Sequence, residues 1–157
     1  MAAFPSGVAI ITTLDEDRLP RGLTTTAVCS VSADPPLILV CVDRGSRTLP
    51  SLRSRRQFVV NFARVGAEAL CDRFASKEED KFAGVAWRPS PLGLPILDGH
   101  ALAWLECEAE QHVEAGDHVV LIGRARAGGA PLQTQEPVVY HDRRYGRWTA
   151  LHRSARR

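Results

Sequence analysis

Two hydroxyl-rich segments flank one apolar strand in the first third of the chain. The first, residues 24–32, reads Thr-Thr-Thr-Ala-Val-Cys-Ser-Val-Ser and leads to Pro35 and Pro36. Residues 37–42 are wholly apolar, and the second segment, Asp-Arg-Gly-Ser-Arg-Thr, follows at residues 43–48. Hydroxyls, backbone N–H groups and arginines suit an anionic, planar ligand with many acceptors, such as a flavin nucleotide.

The second segment has the composition of a phosphate-binding turn around a glycine. Its donors are two hydroxyls and two guanidinium groups, those of Ser46, Thr48, Arg44 and Arg47. The same hydroxyls are good caps for a helix at Leu49–Arg55, in which Pro50 suits the first turn. Capping and phosphate contact are equally well supported, and they are compatible because both use one helix terminus.

Two further segments carry polar side chains with two interpretations each. Gly116-Asp117-His118 is a hairpin turn, in which His118 is either merely polar or contacts a nicotinamide or carries a proton. The charged stretch at residues 76–81 is typical of a solvated loop, but its Lys77 or Lys81 could screen the charge of a nucleotide.

Cysteines and histidines do not show the spacing of a metal site. The four cysteines form no CxxC pair and the histidines show no ligand spacing, so we expect no metal and buried free thiols in a reducing compartment. No apolar run approaches the ~20 residues of a membrane helix, and no secretory signal is recognisable. These features predict a cytoplasmic protein.

Composition indicates one ordinary globular domain. The chain has 157 residues, 45% of them hydrophobic, and a formal net charge of +2. Arginines accumulate at the C-terminus, where residues 151–157 form a basic tail that we expect to be disordered. A DNA-binding role for that tail is an alternative, but a solvated terminus is favoured.

Hydrophobic periodicity predicts several strands and few helices. The strands are predicted at residues 8–13, 23–31, 37–42, 58–62, 101–113 and 118–123, and the one clear helix at 67–75, beside the capped helix at 49–55. Residues 37–42 should be covered on both faces, and the alternation over residues 101–113 places Glu106, Glu108 and Glu110 on a solvated face. A mainly antiparallel β-barrel with a helical excursion follows, because regular βαβ alternation, GxGxxG and GxxxxGK[ST] are missing.

Taken in order, these segments resemble the flavin reductase-like family. The matching pieces include Phe-Pro-Ser-Gly-Val at residues 4–8, Gly-Leu-Thr-Thr-Thr at 22–26, Ser-Val-Ser-Ala-Asp-Pro-Pro-Leu at 30–37, Phe-Val-Val-Asn at 58–61 and Gly-Asp-His at 116–118. The resemblance covers most of residues 4–148. It implies an FMN-binding split barrel of six antiparallel strands with flanking helices over residues 1–150, in a homodimer with flavin near the subunit interface.

The resemblance also implies a role for particular residues. Those expected along the isoalloxazine ring and ribityl chain, mainly through backbone groups, are Thr24, Thr25, Thr26, Ala27 and Cys29. Ser46 and Thr48, helped by Arg44 or Arg47, would hold the flavin phosphate. Lys81 would approach the nucleotide, His118 the nicotinamide, and Tyr145 the rim of the cleft.

The implied activity is hydride transfer from NADH or NADPH to FMN or FAD, as in the reductase components of two-component flavin-dependent monooxygenases. The alternative is a flavin-binding split-barrel protein without reductase activity.

The sequence departs from the usual pattern of this family in two places. Thr-Thr-Ala-Val at residues 25–28 replaces a more usual Ala-Ser-Ser-Phe type of sequence, and the chain begins almost at the first matching strand, where the family usually has a helix.

Overall fold

The computed structural model describes residues 2–130 and 135–150 of the chain. In these residues the strands are β1 Ser6–Gly7, β2 Ala9–Leu14, β3 Pro20–Thr25, β4 Val28–Ser32, β5 Leu37–Asp43, β6 Gln57–Ala63, β7 Arg88–Pro89, β8 Pro95–Ile96, β9 Ala101–Ala115, β10 His118–Gly129, β11 Val138–His141 and β12 Arg144–Arg147. The helices there are α1 Leu49–Arg55 and α2 Glu68–Ala75. The protein is therefore mainly β, as predicted.

One antiparallel sheet of seven strands dominates the fold. Its order is β3-β2-β6-β9-β10-β5-β4, whereas the predicted barrel had six strands, so the predicted strand count was wrong. Two small sheets, β1-β11-β12 and β7-β8, lie beside it. The class of fold is confirmed, and the extra strand comes from a break that the sequence pattern does not show.

That break divides the predicted strand at residues 23–31. Its first part, in β3, pairs with β2 at one edge of the sheet, and its second part, β4, pairs with β5 at the other edge. The chain turns at Thr26 and Ala27, where the Ala27 carbonyl accepts a 2.9 Å hydrogen bond from the Cys41 N–H. The two edges of the sheet thus meet at this corner without pairing along their length.

Burial distinguishes β2 from β5. All six residues of β2 are buried, because Ile11 packs in the main core while Ile10 packs on the opposite side with Phe74 of α2. In β5, burial alternates: Val40 and Val42 are buried, while the intervening residues are partly exposed. The prediction that β5 is covered on both faces was therefore wrong, and it is β2 that is covered.

Strands β9 and β10 form the predicted hairpin, and its turn contains Gly116 with a φ of +64°. Glu106, predicted to face solvent, is instead 1% exposed. The segment between β7 and β8 covers it, and its carboxylate accepts hydrogen bonds from the Ser90 hydroxyl and, at 3.0 Å, from the Leu92 N–H. Glu108, on the same strand, is partly exposed and pairs with Arg126 at 2.7 Å.

The four cysteines are free, but they are not equally buried. Cys71 and Cys107 are buried, and burial raises the pKa of each thiol to about 12. Cys41 is partly buried and Cys29 is exposed, so the expectation of four buried thiols was wrong for Cys29. Among the described residues, no helix has the length and apolar character needed to span a membrane, and no group of His, Cys, Asp or Glu could hold a metal ion.

We predict that Glu106→Ala lowers the free energy of unfolding by about 2–4 kcal/mol, because it removes the acceptor of the buried Ser90 hydroxyl and of the partly buried Leu92 N–H. Glu108→Ala is the matched control on the same strand, and it should cost less than about 1 kcal/mol because its ion pair is exposed. Urea denaturation of the three proteins measures both values. Equal effects of the two substitutions would contradict the structural role of Glu106.

Candidate functional site

A cleft of about 820 Å³ opens where β3, β5, the turn after β5, the end of α2 and the tip of the β9–β10 hairpin converge. It brings together seven of the residues that the sequence singled out: Thr24, Thr25, Ser46, Arg47, Lys77, Lys81 and His118. These residues span nearly a hundred positions of sequence. Their convergence makes this cleft the candidate active site.

Strand β3 forms one wall of the cleft, and two of its threonine side chains fix this β3 wall to neighbouring elements. The Thr24 hydroxyl donates to the Cys71 carbonyl of α2 at 2.7 Å, and the Thr25 hydroxyl donates to the Cys41 carbonyl of β5 at 3.2 Å. Both hydroxyl protons are therefore used within the protein. The Thr25 oxygen already accepts a hydrogen bond from the Ala27 N–H at 3.0 Å, so it keeps one lone pair for a ligand N–H, whereas the Thr24 oxygen keeps two.

The turn after β5 is built around Asp43 and Ser46. The Asp43 carboxylate accepts from the Gly45 N–H at 2.6 Å, and the Ser46 hydroxyl accepts from the Thr48 N–H at 3.3 Å. The Ser46 proton remains able to donate to a ligand. Thr48 differs, because its buried hydroxyl donates to the Gly22 carbonyl at 2.9 Å and makes no cap bond to α1.

Positive charge predominates in the lining of the cleft. Three cations, Arg47, Lys77 and Lys81, face one carboxylate, that of Asp43. The Lys81 ammonium donates to the Phe74 carbonyl at 2.7 Å, which fixes its position at the end of α2. Burial, and then the neighbouring Arg47, lower the pKa of Lys81 below the ordinary lysine value of 10.5. This balance favours an anionic ligand.

His118 begins β10 beside the hairpin turn and contributes an imidazole to the cleft. Its Nδ1 lies 2.8 Å from a carboxylate oxygen of Asp117, and its side chain is 43% exposed. This hydrogen bond lowers the pKa of Asp117. Since Nδ1 is occupied by Asp117, Nε2 is the ring nitrogen available to a ligand.

Other predicted residues lie outside the lining of this cleft. Arg44 donates to the Gly116 carbonyl at 3.3 Å on the hairpin, and the Tyr145 hydroxyl donates to Asp72 of α2 at 2.8 Å. Burial, together with this hydrogen bond, raises the pKa of Tyr145. The corner between β3 and β4 directs the next predicted residues into a neighbouring groove: Thr26, Ala27 and Cys29.

Sequence reasoning missed the contribution of α2 to the site. Phe74, Ala75 and Ser76 line the cleft at the end of the helix, and Cys41 lines it from β5. The helix was predicted from its apolar spacing, but that spacing does not indicate which end approaches β3. Gly22 was the available signal, since a Cβ there would lie 2.5 Å from the Phe74 ring, and only glycine permits this approach.

The lining fits a flavin nucleotide. Leu23 and Phe74 give apolar surface for a planar ring, and the threonine oxygens offer acceptors for a ring N–H. Ser46, Arg47 and Lys81 provide donors and charge for a phosphate at one end of the cleft. A cleft of about 820 Å³ lies within the range of cofactor sites.

Comparison with known proteins identifies the family to which the chain belongs. Residues 1–149 match the protein family described as "Flavin reductase like domain". The chain is 44% identical over 149 residues to a flavin reductase (NADH) of Kitasatospora aureofaciens, an alignment covering 94% of this chain and 78% of that protein. Family membership is therefore established on sequence as well as on structure.

Two solved structures are similar over nearly the whole chain. Nitrilotriacetate monooxygenase component B from Mycobacterium thermoresistibile has a TM-score of 0.91 and 33% identity, covering 99% of this chain and 87% of that one. The NADH:FAD oxidoreductase SgcE6 of Streptomyces globisporus C-1027, solved with NAD and FAD fragments, has a TM-score of 0.87 and 30% identity, covering 94% and 88%.

The chain belongs to the flavin reductase-like family. It is an NAD(P)H-dependent flavin reductase, and its cofactors are a flavin and a nicotinamide nucleotide. The predicted family and enzyme class are thereby confirmed.

We predict that Gly22→Ala weakens flavin binding and lowers stability by about 1–3 kcal/mol, because the new methyl group displaces Phe74 from β3. Gly99→Ala is the control, since a Cβ at that glycine meets nothing within 4 Å. Thermal unfolding and flavin fluorescence titration measure the two effects. An unchanged flavin affinity in Gly22→Ala would show that the position of Phe74 in α2 does not affect flavin binding.

Proposed function

We propose that this protein oxidises NADH and supplies reduced flavin to a separate oxygenase. The observation that carries the proposal is the single cleft in which acceptors, cations and an imidazole from distant segments converge. NADH as the donor is supported by the name of the Kitasatospora aureofaciens relative, a flavin reductase (NADH). A monooxygenase partner is supported by the nitrilotriacetate monooxygenase component B, which shares this fold.

In this proposal the β3 wall holds the flavin ring. Thr24 and Thr25 accept hydrogen bonds from the ring, and the neighbouring backbone supplies uncharged contacts. Ser46 and Arg47 hold the phosphate, and Lys81 neutralises its charge. His118 contacts the nicotinamide through Nε2, and Asp117 keeps its ring oriented.

When bound, the two cofactors supply the chemistry, which is hydride transfer from the nicotinamide to N5 of the flavin. The protein contributes position and electrostatics. Its rigid wall of hydrogen-bonded threonines sets where the acceptor ring lies, and the hairpin carrying His118 sets where the donor lies. No side chain is required as an acid or base, because reduced flavin exchanges protons with solvent.

We also propose a homodimer built on the apolar groove beside the site. This groove, of about 600 Å³, is lined by Phe4, Val28 and Leu37, among others. Phe4 is 68% exposed, which supports burial of the groove against a second copy. Phe4 and Val28 also line the neighbouring groove that contains Thr26, Ala27 and Cys29, so these three residues would then lie between the flavin cleft and the partner. The proposed domain is residues 1–150; the predicted disordered tail, residues 151–157, lies outside the described residues.

Anaerobic steady-state reduction of FMN and FAD by NADH and by NADPH tests the proposed function. We expect bleaching of the flavin with NADH as the preferred donor, and a reduced flavin that a separate oxygenase can consume. Absence of nicotinamide-dependent bleaching with all four pairs would overturn the proposal. Preference for NADPH would overturn only the choice of donor.

For His118→Ala we predict a rise of about three- to tenfold in the KM for NADH, the loss expected for one neutral hydrogen bond. Flavin affinity should be unchanged. His141→Ala, an exposed histidine outside the cleft lining, is the matched control. Stopped-flow reduction separates binding from hydride transfer, and wild-type kinetics in His118→Ala would leave His118 as a turn residue only.

The lowered pKa of Lys81 predicts a pH-dependent affinity for FMN. The ammonium is charged below its pKa, so FMN affinity should fall as pH rises through a value below 10.5. Riboflavin lacks the phosphate and should not share this change. Lys81→Met should weaken FMN binding by about tenfold at neutral pH, as expected for a charge-assisted hydrogen bond, and remove the pH difference between the two ligands. Equal pH profiles for both ligands in the native protein would contradict the assignment.

A further inference from the structure

The tip of the β9–β10 hairpin, residues 114–117, lies directly before His118 and is exposed throughout. Strands β5 and β10 pair as far as Asp43 and His118, so the tip begins where this pairing ends. The Asp117 side chain, which orients the His118 ring, is 91% exposed and has little packing to fix it. The position of the imidazole therefore depends on the contacts that hold the tip.

Arg44, the first residue after β5, contacts this tip from outside the hairpin. Its N–H donates to the Asp117 carbonyl at 2.9 Å, and its guanidinium donates to the Gly116 carbonyl at 3.3 Å. The same guanidinium lies 3.7 Å from the Glu114 carboxylate. Arg44 thus contacts three of the four tip residues.

Glu114 links the tip to α1 as well. One of its carboxylate oxygens faces Arg44, and the other accepts a hydrogen bond from Arg53 of α1. Two arginines from different segments therefore share one carboxylate of the hairpin. Exposed ion pairs of this kind add little to the stability of a fold. They do restrict the orientation of a tip that has little packing of its own.

We infer that Arg44 is a positioning residue for the nicotinamide, acting through the hairpin tip and His118. The inference rests on the proposed function, in which His118 contacts the nicotinamide. It assigns to Arg44 a role other than the expected phosphate contact, because the guanidinium bonds to the hairpin and lies outside the cleft lining. The turn proposed to hold the flavin phosphate and the tip beside the nicotinamide are thereby linked through one residue.

Steady-state kinetics and flavin fluorescence titration of Arg44→Ala test the inference. The substitution keeps the backbone bond to Asp117 and the pairing of β5 with β10, so the thermal unfolding temperature should change little. The KM for NADH should rise by about twofold to fivefold, the effect of losing one exposed charged contact, with the rate at saturating NADH unchanged. The affinities for FMN and riboflavin should equal those of the native protein.

A double variant tests whether the effect passes through the imidazole. In the His118→Ala background, Arg44→Ala should raise the KM for NADH no further, because the group that it positions is gone. Glu114→Gln should raise the KM for NADH in the same direction as Arg44→Ala, since it removes the charge shared by the two arginines.

Arg124→Ala is the matched control. Arg124 pairs with Glu110 across the same two strands, but this ion pair lies away from the tip and outside the cleft lining. The control should leave the KM for NADH unchanged. An equal rise in Arg124→Ala would overturn the inference, because it would show a general effect on the hairpin.

Three further results would also overturn the inference while the proposed function stands. The first is a native KM for NADH in Arg44→Ala, and the second is an independent, multiplicative effect in the double variant. The third is weaker FMN binding with unchanged riboflavin binding in Arg44→Ala, which would return Arg44 to the phosphate. Failure of the native protein to bleach flavin with NADH or NADPH would instead overturn the proposed function.

Discussion

Three threonine hydroxyls hold the edge strand β3 in place, and the site depends on them. Thr24 bonds to α2, Thr25 to β5, and Thr48, from the turn before α1, to the Gly22 carbonyl of β3. An edge strand has a row of unpaired backbone groups and few neighbours to fix it. Side-chain bonds to three different elements replace the missing strand partner, and the space left between those elements is the cleft.

This construction explains how one segment serves both fold and ligand. The threonine protons are used for structure, while the Thr24 oxygen, and the Thr25 oxygen beside its bond from the Ala27 N–H, can still accept a hydrogen bond. Lys81 likewise has both a structural and a ligand-facing role, because its ammonium is fixed by the Phe74 carbonyl and still carries charge in the cleft. A site assembled from groups that already have structural partners needs little reordering when a ligand binds, which lowers the cost of binding.

Much of the fold could be predicted because local patterns report local structure. The hairpin of β9 and β10, both helices and most strands follow from periodicity and turn residues. The errors occur where distant segments decide the outcome. The alternation of polar and apolar residues in β9 predicts that Glu106 faces solvent. The β7–β8 segment instead covers this residue and supplies its hydrogen bonds. Residues 23–31 have the composition of one strand, but their two halves find partners at opposite edges of the sheet.

The sequence by itself determined the family, the class of fold and the segments proposed to carry the chemistry, because residue type and order in those segments are local properties. Only the tertiary structure decided which of these residues share one cleft. Ser46, Lys81 and His118 converge there, while Arg44 and Tyr145 bond elsewhere. Thr24 and Thr25 line the cleft, whereas Thr26, Ala27 and Cys29 line a neighbouring groove. The physical reason for this separation is the corner at residues 26–27, which turns the chain from one sheet edge to the other.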